Sequence, residues 1–267
     1  MGFSLTILGC RGSVPVHGSD TIRYGGGTTC YRIDADEQVI FVDAGSGIMG
    51  TDLESLKDKG VSVLFTHPHL DHLIGLPFFA ALSDPDREIH VYGAIRNGRN
   101  LKEQLDDLLR PPYWPLGISS YPAEVRWHGT DQDITIGSVR VSAMEVPHPG
   151  GSTAYRLTLG DRSVVIMTDA ELPETPGGEI LDFIAGADLF LCDGQYTPEE
   201  SEKRRGYGHT AMPVAAAWAE AAQVRRALLV HHDPKHDDLF LDAMADRIGS
   251  ARVGFAKAGE CHEIGEA

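Results

Sequence analysis

Thr66-His67-Pro68-His69-Leu70-Asp71-His72 decides the reading of this chain. Three imidazoles and one carboxylate fall within six positions, and imidazole nitrogen and carboxylate oxygen suit zinc and similar divalent ions. The apolar β-type run at 61–65 leads straight into the stretch, and a helix is expected over 71–82. The stretch should therefore be a loop at a strand end. In extended chain His67 and His69 project to one side. Asp71 and His72 lie at the turn that follows and can face a second ion. One lone histidine would read as an ordinary loop residue, but four ligand types packed around Pro68 do not.

So short a stretch cannot complete two coordination shells. Three distant residues stand just past apolar strands, where sheet architectures gather active sites. His148 follows Val146-Pro147, Asp169 follows Val164-Val165-Ile166-Met167-Thr168, and His231 follows Ala227-Leu228-Leu229-Val230. Each alone reads as a turn or core residue. With the first motif in place they read together as ligands.

Outward from these motifs the chain has no repeat, low-complexity tract or linker-like stretch, so 1–267 is expected to be one domain. Strands are expected at 3–8, 29–34, 38–42, 61–65 and 89–92, with a helix ending near Gly60 and another over 99–109 that stops before Pro111-Pro112. A second strand-rich half follows, with strands near 125–128, 133–136, 139–144, 154–159, 163–167, 189–192, 227–230 and 252–255. Its helices are expected near 179–185, 212–222 and 238–248. Two such halves suggest two sheets face to face with helices outside.

Composition bounds the function. The 267 residues are 42% hydrophobic and 23% charged, as in an ordinary globular protein. No apolar run reaches the roughly 18 residues of a membrane helix. The N-terminus reads as a strand rather than a signal peptide, so the expectation is a cytoplasmic protein with no membrane partner. Cys10, Cys30, Cys192 and Cys261 are far apart and are expected to be buried on or near strands. The formal net charge of −16 speaks against a long nucleic acid as partner, because such proteins usually present a basic surface. It says little about a small anion, since bound metal ions dominate their local field.

The pattern His67-x-His69-x-Asp71-His72 with His148, Asp169 and His231 resembles the metallo-β-lactamase superfamily over nearly the whole chain. The resemblance implies an α/β fold, a four-layer αββα sandwich, with two metal ions in a cleft between the sheets. It implies that His67, His69 and His148 hold one ion, Asp71, His72 and His231 the other, and that Asp169 bridges them. Zinc is the expected metal, with manganese or iron(II) as alternatives. Asp71-His72-Leu73-Ile74-Gly75-Leu76-Pro77 is similar to the ribonuclease Z and cyclic-phosphate phosphodiesterase branch, as are Gly208-His209-Thr210-Ala211 and the closing His231-His232-Asp233-Pro234. Within it, Arg11-Gly12-Ser13, His148-Pro149-Gly150-Gly151 and Arg205-Gly206-x-Gly208-His209 resemble a bacterial group of the same branch.

The branch implies a binuclear hydrolase that cleaves a small phosphodiester, a cyclic nucleotide or cyclic phosphate, by a metal-bridging hydroxide. Asp71 would bind metal and orient that hydroxide, and His209 would assist cleavage. Arg205 and Tyr207, just before His209, are candidate substrate contacts; a solvated 203–205 surface run is the other reading. The aromatic, proline-stiffened 110–115 stretch could stack a base, or serve as a lid or dimer contact. His232 is left without a role. Two other activities compete: a tRNA 3′-processing endonuclease, and a lactone or thioester hydrolase. Too few residues separate His148 from Asp169 for the long arm that grips tRNA. The Gly75-Leu76-Pro77 and Gly208-His209 elements speak against lactones. A secreted β-lactamase would need an export signal. The branch also implies a homodimer.

Overall fold

The computed structural model describes residues 2–265; Met1, Glu266 and Ala267 lie outside the described residues. Among the described residues, fourteen strands form two seven-stranded sheets. The first contains β1 (Phe3–Gly9), β2 (Cys30–Ala35), β3 (Gln38–Val42), β4 (Gly60–Leu64), β5 (Glu88–Tyr92) and β6 (Glu124–His128). The second contains β7 (Ile134–Ile136), β8 (Val139–Val146), β9 (Ser152–Leu159), β10 (Arg162–Met167), β11 (Leu189–Asp193), β12 (Arg226–Val230) and β13 (Val253–Phe255). The strand β14 (Cys261–Glu263) returns to pair with β1, which joins the chain's end to the first sheet.

Side-chain alternation explains the layers. Successive strand residues point to opposite faces. In β3, Ile40 and Val42 join the core between the sheets while Val39 and Phe41 pack on the outer side. In β10, Val164 and Ile166 face the first sheet, and Val165 and Met167 face helices. Strands apolar on both faces must be covered on both faces. The covers are α1 (Leu101–Leu108) with several 3-10 turns on the first sheet, and α2 (Gly178–Ile184), α4 (Met212–Ala221) and α5 (Asp238–Ile248) on the second. The short α3 (Pro198–Lys203) lies between β11 and α4. This is the four-layer αββα sandwich.

Three expectations need correction. The helix over 71–82 is three separate 3-10 turns, Leu70–His72, Leu76–Phe78 and Ala80–Ser83. The groups an α-helix would use are taken elsewhere: Ala44 N–H donates to His72 O at 2.7 Å and Gly75 N–H donates to Ala44 O at 2.9 Å. Pro77 has no N–H to continue the ladder. The helix before Gly60 is likewise reduced to turns at Ser46–Gly50 and Glu54–Leu56, in a segment where Gly47 and Gly50 disfavour helix. Cys261 is exposed, whereas Cys10, Cys30 and Cys192 are buried as expected. Among the described residues no helix is long and apolar enough to cross a membrane.

Strand direction places the site. Strands β3, β4, β5 and β6 run parallel, as do β10, β11, β12 and β13. Their carboxyl ends collect the residues that follow them, as open α/β sheets do around ligands. Asp43 follows β3, His67 follows β4, Asp169 follows β10 and His231 follows β12.

Candidate functional site

Seven predicted side chains converge into two groups. His67, His69 and His148 form one; Asp71, His72, Asp169 and His231 form the other. Within each group the donor atoms lie within 4.8 Å of one another. Asp169 stands between the groups. Its Oδ1 is 3.8 Å from His67 Nε2, 3.9 Å from His148 Nε2 and 3.3 Å from His231 Nε2, and its Oδ2 is 3.1 Å from His72 Nε2. Asp71 Oδ2 is 3.1 Å from His231 Nε2 and 3.4 Å from His72 Nε2.

The backbone is strained to achieve this. Asp43, Asp169 and His231 have φ of 61°, 55° and 62°. Left-handed backbone in non-glycine residues costs on the order of 1 kcal/mol or more each and clusters at functional sites. Gly12 contributes through its small size. A Cβ there would lie 2.4 Å from the His231 ring, so only glycine lets the two segments approach.

Hydrogen bonds set the imidazoles. Nδ1–H of His67 donates to Thr66 Oγ1 at 3.0 Å, that of His72 to Asp43 Oδ2 at 2.7 Å, and that of His148 to Gly208 O at 2.9 Å. Each leaves Nε2 with its lone pair towards the centre, the arrangement typical of metal-binding histidine. His67 Nε2 and His72 Nε2 are buried without a hydrogen-bond partner. His148 Nε2 and His69 Nδ1 face each other at 3.2 Å. Buried nitrogens that meet only one another and carboxylates fit a cation between them, so the residues present suit a divalent pair.

Electrostatics agree with that division. Burial pushes His67, His69 and His148 below the usual imidazole range. Burial acts the same way on His72 and His231, but the facing Asp169 and Asp71 outweigh it; His72 is raised well above its ordinary value and His231 to about 9. Burial would raise Asp71 and Asp169, yet the surrounding imidazoles hold both well below the usual carboxylate range. The two carboxylates of the second group thus draw positive charge towards themselves.

His209 stands beside both groups, half-buried, its ring 5.3 Å from His148 and 4.8 Å from His231. It forms part of a further potential ligand set with His148 and Asp169. Nδ1–H of His209 donates to Asp193 Oδ2 at 2.8 Å. Asp193 is fully buried and also accepts from the backbone N–H of Asp169, Gln195 and Thr210. Arg205 and His209 line one cavity of about 590 Å3, with Glu171, Glu174 and Glu202 among its other walls. Tyr207 is exposed and is not among the residues lining it. A second cavity of about 260 Å3 runs from His67 and His69 towards Arg96, Asn97 and Arg99. The site is therefore open on two sides.

Sequence reading missed Asp43, Asp193 and Ser13, whose N–H donates to Asp71 Oδ2 at 2.7 Å. Asp43 and Asp193 carried the same signal as the predicted ligands, a carboxylate at the end of an apolar strand. His232 resolves into a structural residue. It is buried beside Tyr24 and Phe255, its Nε2–H donates to Ala256 O at 2.9 Å, and burial pushes its pKa down to about 3. In the 110–115 stretch Trp114 packs against Phe78 on the outer face of the first sheet. Arg204 is engaged with Asp233 and with the Tyr196 ring, which accounts for one cation of the 203–205 run.

The model of the beta-lactamase superfamily domain matches residues 38–232, well over half of the chain. The chain belongs to that family. This metallo-β-lactamase-fold chain is similar to several curated relatives. Protein ML1173 of Mycobacterium leprae is 28% identical over 97% of this chain and 88% of its own length. Ribonuclease Z of Clostridium kluyveri is 23% identical over 85% of this chain and 87% of its own length. The crystal structure of the metallo-beta-lactamase fold protein YhfI from Bacillus subtilis superposes with a TM-score of 0.75, at 22% identity, covering 98% of both chains. Membership makes this metallo-β-lactamase-fold chain an enzyme, a metal-dependent hydrolase.

Proposed function

We propose that this hydrolase is a phosphodiesterase acting on a small phosphodiester, a cyclic nucleotide or cyclic phosphate. The observation that carries the reading is the Asp193-supported His209 beside both ligand groups. Cleavage of an alkyl phosphodiester releases a poorly stabilised alkoxide that needs a proton, whereas a thioester releases a thiolate that does not. An imidazole N–H donor at the edge of the metal pair suits that release.

His67, His69 and His148 would hold one ion, Asp71, His72 and His231 the other, and Asp169 would face both. Such a pair supplies Lewis acidity, lowers the pKa of water to about 7 and neutralises phosphoryl charge. Zinc suits the nitrogen-rich group, and manganese or iron(II) suits the same donors. The chain's own groups do the rest. Asp71, fixed by the Ser13 N–H, orients the incoming water. As water's oxygen bonds to phosphorus and one of its protons passes to solvent, the bond to the leaving oxygen breaks and its electron pair stays on that oxygen. Nε2–H of His209 gives that oxygen a proton, while Nδ1–H stays on Asp193. Arg205, on the cavity wall, is a candidate contact for phosphoryl oxygens, and Tyr207 for the rim of the substrate.

A tRNA 3′-processing endonuclease is the second reading, favoured by the ribonuclease Z relative. The net charge of −16 and the short His148-to-Asp169 connection favour the small substrate. We read 1–267 as one domain, working in the cytoplasm as a homodimer.

The test is hydrolysis of bis(p-nitrophenyl) phosphate by protein of known metal content, with His209→Ala and Asp71→Ala alongside. Turnover that needs metal and collapses in Asp71→Ala is expected, with His209→Ala impaired mainly on diesters whose leaving oxygen needs a proton, such as methyl phenyl phosphate. Full metal loading with no turnover would transfer the assignment to esters, lactones or thioesters.

A further inference from the structure

Glu171 lies two residues past Asp169 and takes no part in either ligand group. Its carboxylate does something specific. Oε1 accepts the backbone N–H of Gly206 at 2.9 Å, and Oε2 accepts that of Gly208 at 2.9 Å. Both glycines have positive φ, 81° and 90°, which turns their N–H groups inward. Alternating backbone N–H groups in such a turn form an anion-binding concavity, and here the chain fills it with its own carboxylate. No salt bridge to Glu171 appears among the described residues; its charge is engaged by two main-chain donors. Charge-assisted bonds of this kind are roughly twice as strong as neutral ones.

The clamp closes a ring. Glu171 N–H donates to Pro147 O at 2.8 Å. Pro147 precedes His148, His148 Nδ1–H donates to Gly208 O, and Gly208 N–H returns to Glu171. Gly208 admits no side chain, because a Cβ there would lie 2.2 Å from His148 Nδ1. His209 is the next residue. The 206–209 loop is thus fixed at one end by Glu171 and at the other by Asp193, and its last residue, His209, lines the cavity of about 590 Å3 together with Glu171.

We infer that Glu171 is a positioning residue of this enzyme: it holds the 206–208 turn so that His209 meets the leaving oxygen. The inference rests on the proposed role of His209 as the acid. A glutamine keeps the shape and offers one acceptor in place of two. An aspartate keeps the charge but is one methylene short.

The experiment uses metal-loaded protein and a series of aryl methyl phosphates, from p-nitrophenyl to unsubstituted phenyl. Wild type, Glu171→Gln, Glu171→Asp and His209→Ala are compared, with metal content and Tm recorded for each. A leaving group that needs no proton should be nearly indifferent to Glu171. The expected result for Glu171→Gln is a loss in kcat of about tenfold to a hundredfold on the phenyl ester, with KM and the p-nitrophenyl rate near wild type. Glu171→Asp should recover part of the loss. Amide hydrogen exchange at 206–208, followed in the same proteins, should speed up in Glu171→Gln and stay slow elsewhere. A wild-type dependence on leaving group in Glu171→Gln, or an equal fall on every ester, overturns the inference while leaving His209 in place. A wild-type dependence in His209→Ala removes the acid itself, and the inference with it. Failure of wild type to cleave any ester defeats the phosphodiesterase reading and this inference together.

Discussion

Nδ1 of His209 lies 2.8 Å from Oδ2 of Asp193, and that carboxylate is fully buried with three backbone donors besides. The ring of the histidine is thereby fixed in orientation, with Nε2 turned away from its support. The pairing is a direct target. Asp193→Asn keeps the size but replaces one acceptor oxygen by an N–H donor, either towards His209 or towards backbone N–H. The expectation is a loss of kcat of about 10–100-fold and a loss of stability of about 1–3 kcal/mol. Kinetics and urea unfolding of the same preparation read the two effects separately. Full activity in Asp193→Asn would show that the pair does not matter to catalysis.

Metal removal should show in stability as well as in activity. Ions that bind only the folded chain stabilise it by mass action, about 4 kcal/mol when free ion exceeds Kd a thousandfold. Thermal scans with and without a chelator should differ by several degrees, and isothermal titration should give two equivalents. Asp169→Ala should lower that stoichiometry. An unchanged melting curve after complete chelation would count against a metal centre at these residues.

Gly12→Ala tests the close approach to His231. The added methyl falls 2.4 Å from the imidazole Nδ1, so the ring or the 11–13 turn must move. Overpacking of this kind costs about 1–3 kcal/mol. Metal affinity at the second group should fall with it, which competition with a chromogenic chelator measures. Wild-type affinity would mean that the turn yields instead of the ligand.

A pH test away from the site concerns Asp34. Its carboxylate is 2.7 Å from both Arg32 Nε and Lys59 Nζ. Burial would raise its pKa, but the two cations outweigh burial and hold it below the ordinary value of 3.8. A carboxyl with a depressed folded pKa stabilises the fold above its unfolded pKa. That contribution is lost as the pH falls through the folded pKa. The stability gap between wild type and Asp34→Asn should be about 1 kcal/mol or less at neutral pH. It should close between about pH 5 and pH 2. Urea midpoints across that range decide it; a gap that persists at the acid end would exclude the ion pairs as its source.

The sheets were legible because each strand carries its own evidence. Val39 to Val42 and Val164 to Met167 are apolar on both faces, and such runs have to be sandwiched. The helix over 71–82 was not legible as turns. What unravels it is the hydrogen bonding of Ala44, far away in sequence. The short α3 was missed although Thr197-Pro198-Glu199-Glu200 holds a capping box, which the structure shows formed. Of the site, all seven predicted ligand residues come together. Their supports were harder to see. Asp43 and Asp193 resemble ordinary strand-end carboxylates until the histidines they hold are in place. Glu171 has no sequence signature, because its partners are backbone groups.

The residues at issue leave their strands on one rim, and they come from both sheets. Neither half of the chain can be borrowed for its chemistry, and neither can be exchanged with a relative without the other. The opposite rim carries none of the seven ligand residues. There the tight β9–β10 connection turns at Gly160, with φ of 64° and nothing near its absent side chain. A tag, a fluorophore or a fused partner grafted at that hairpin is carried at the far end of the strands from the catalytic mouth, which makes it the natural handle for engineering this enzyme.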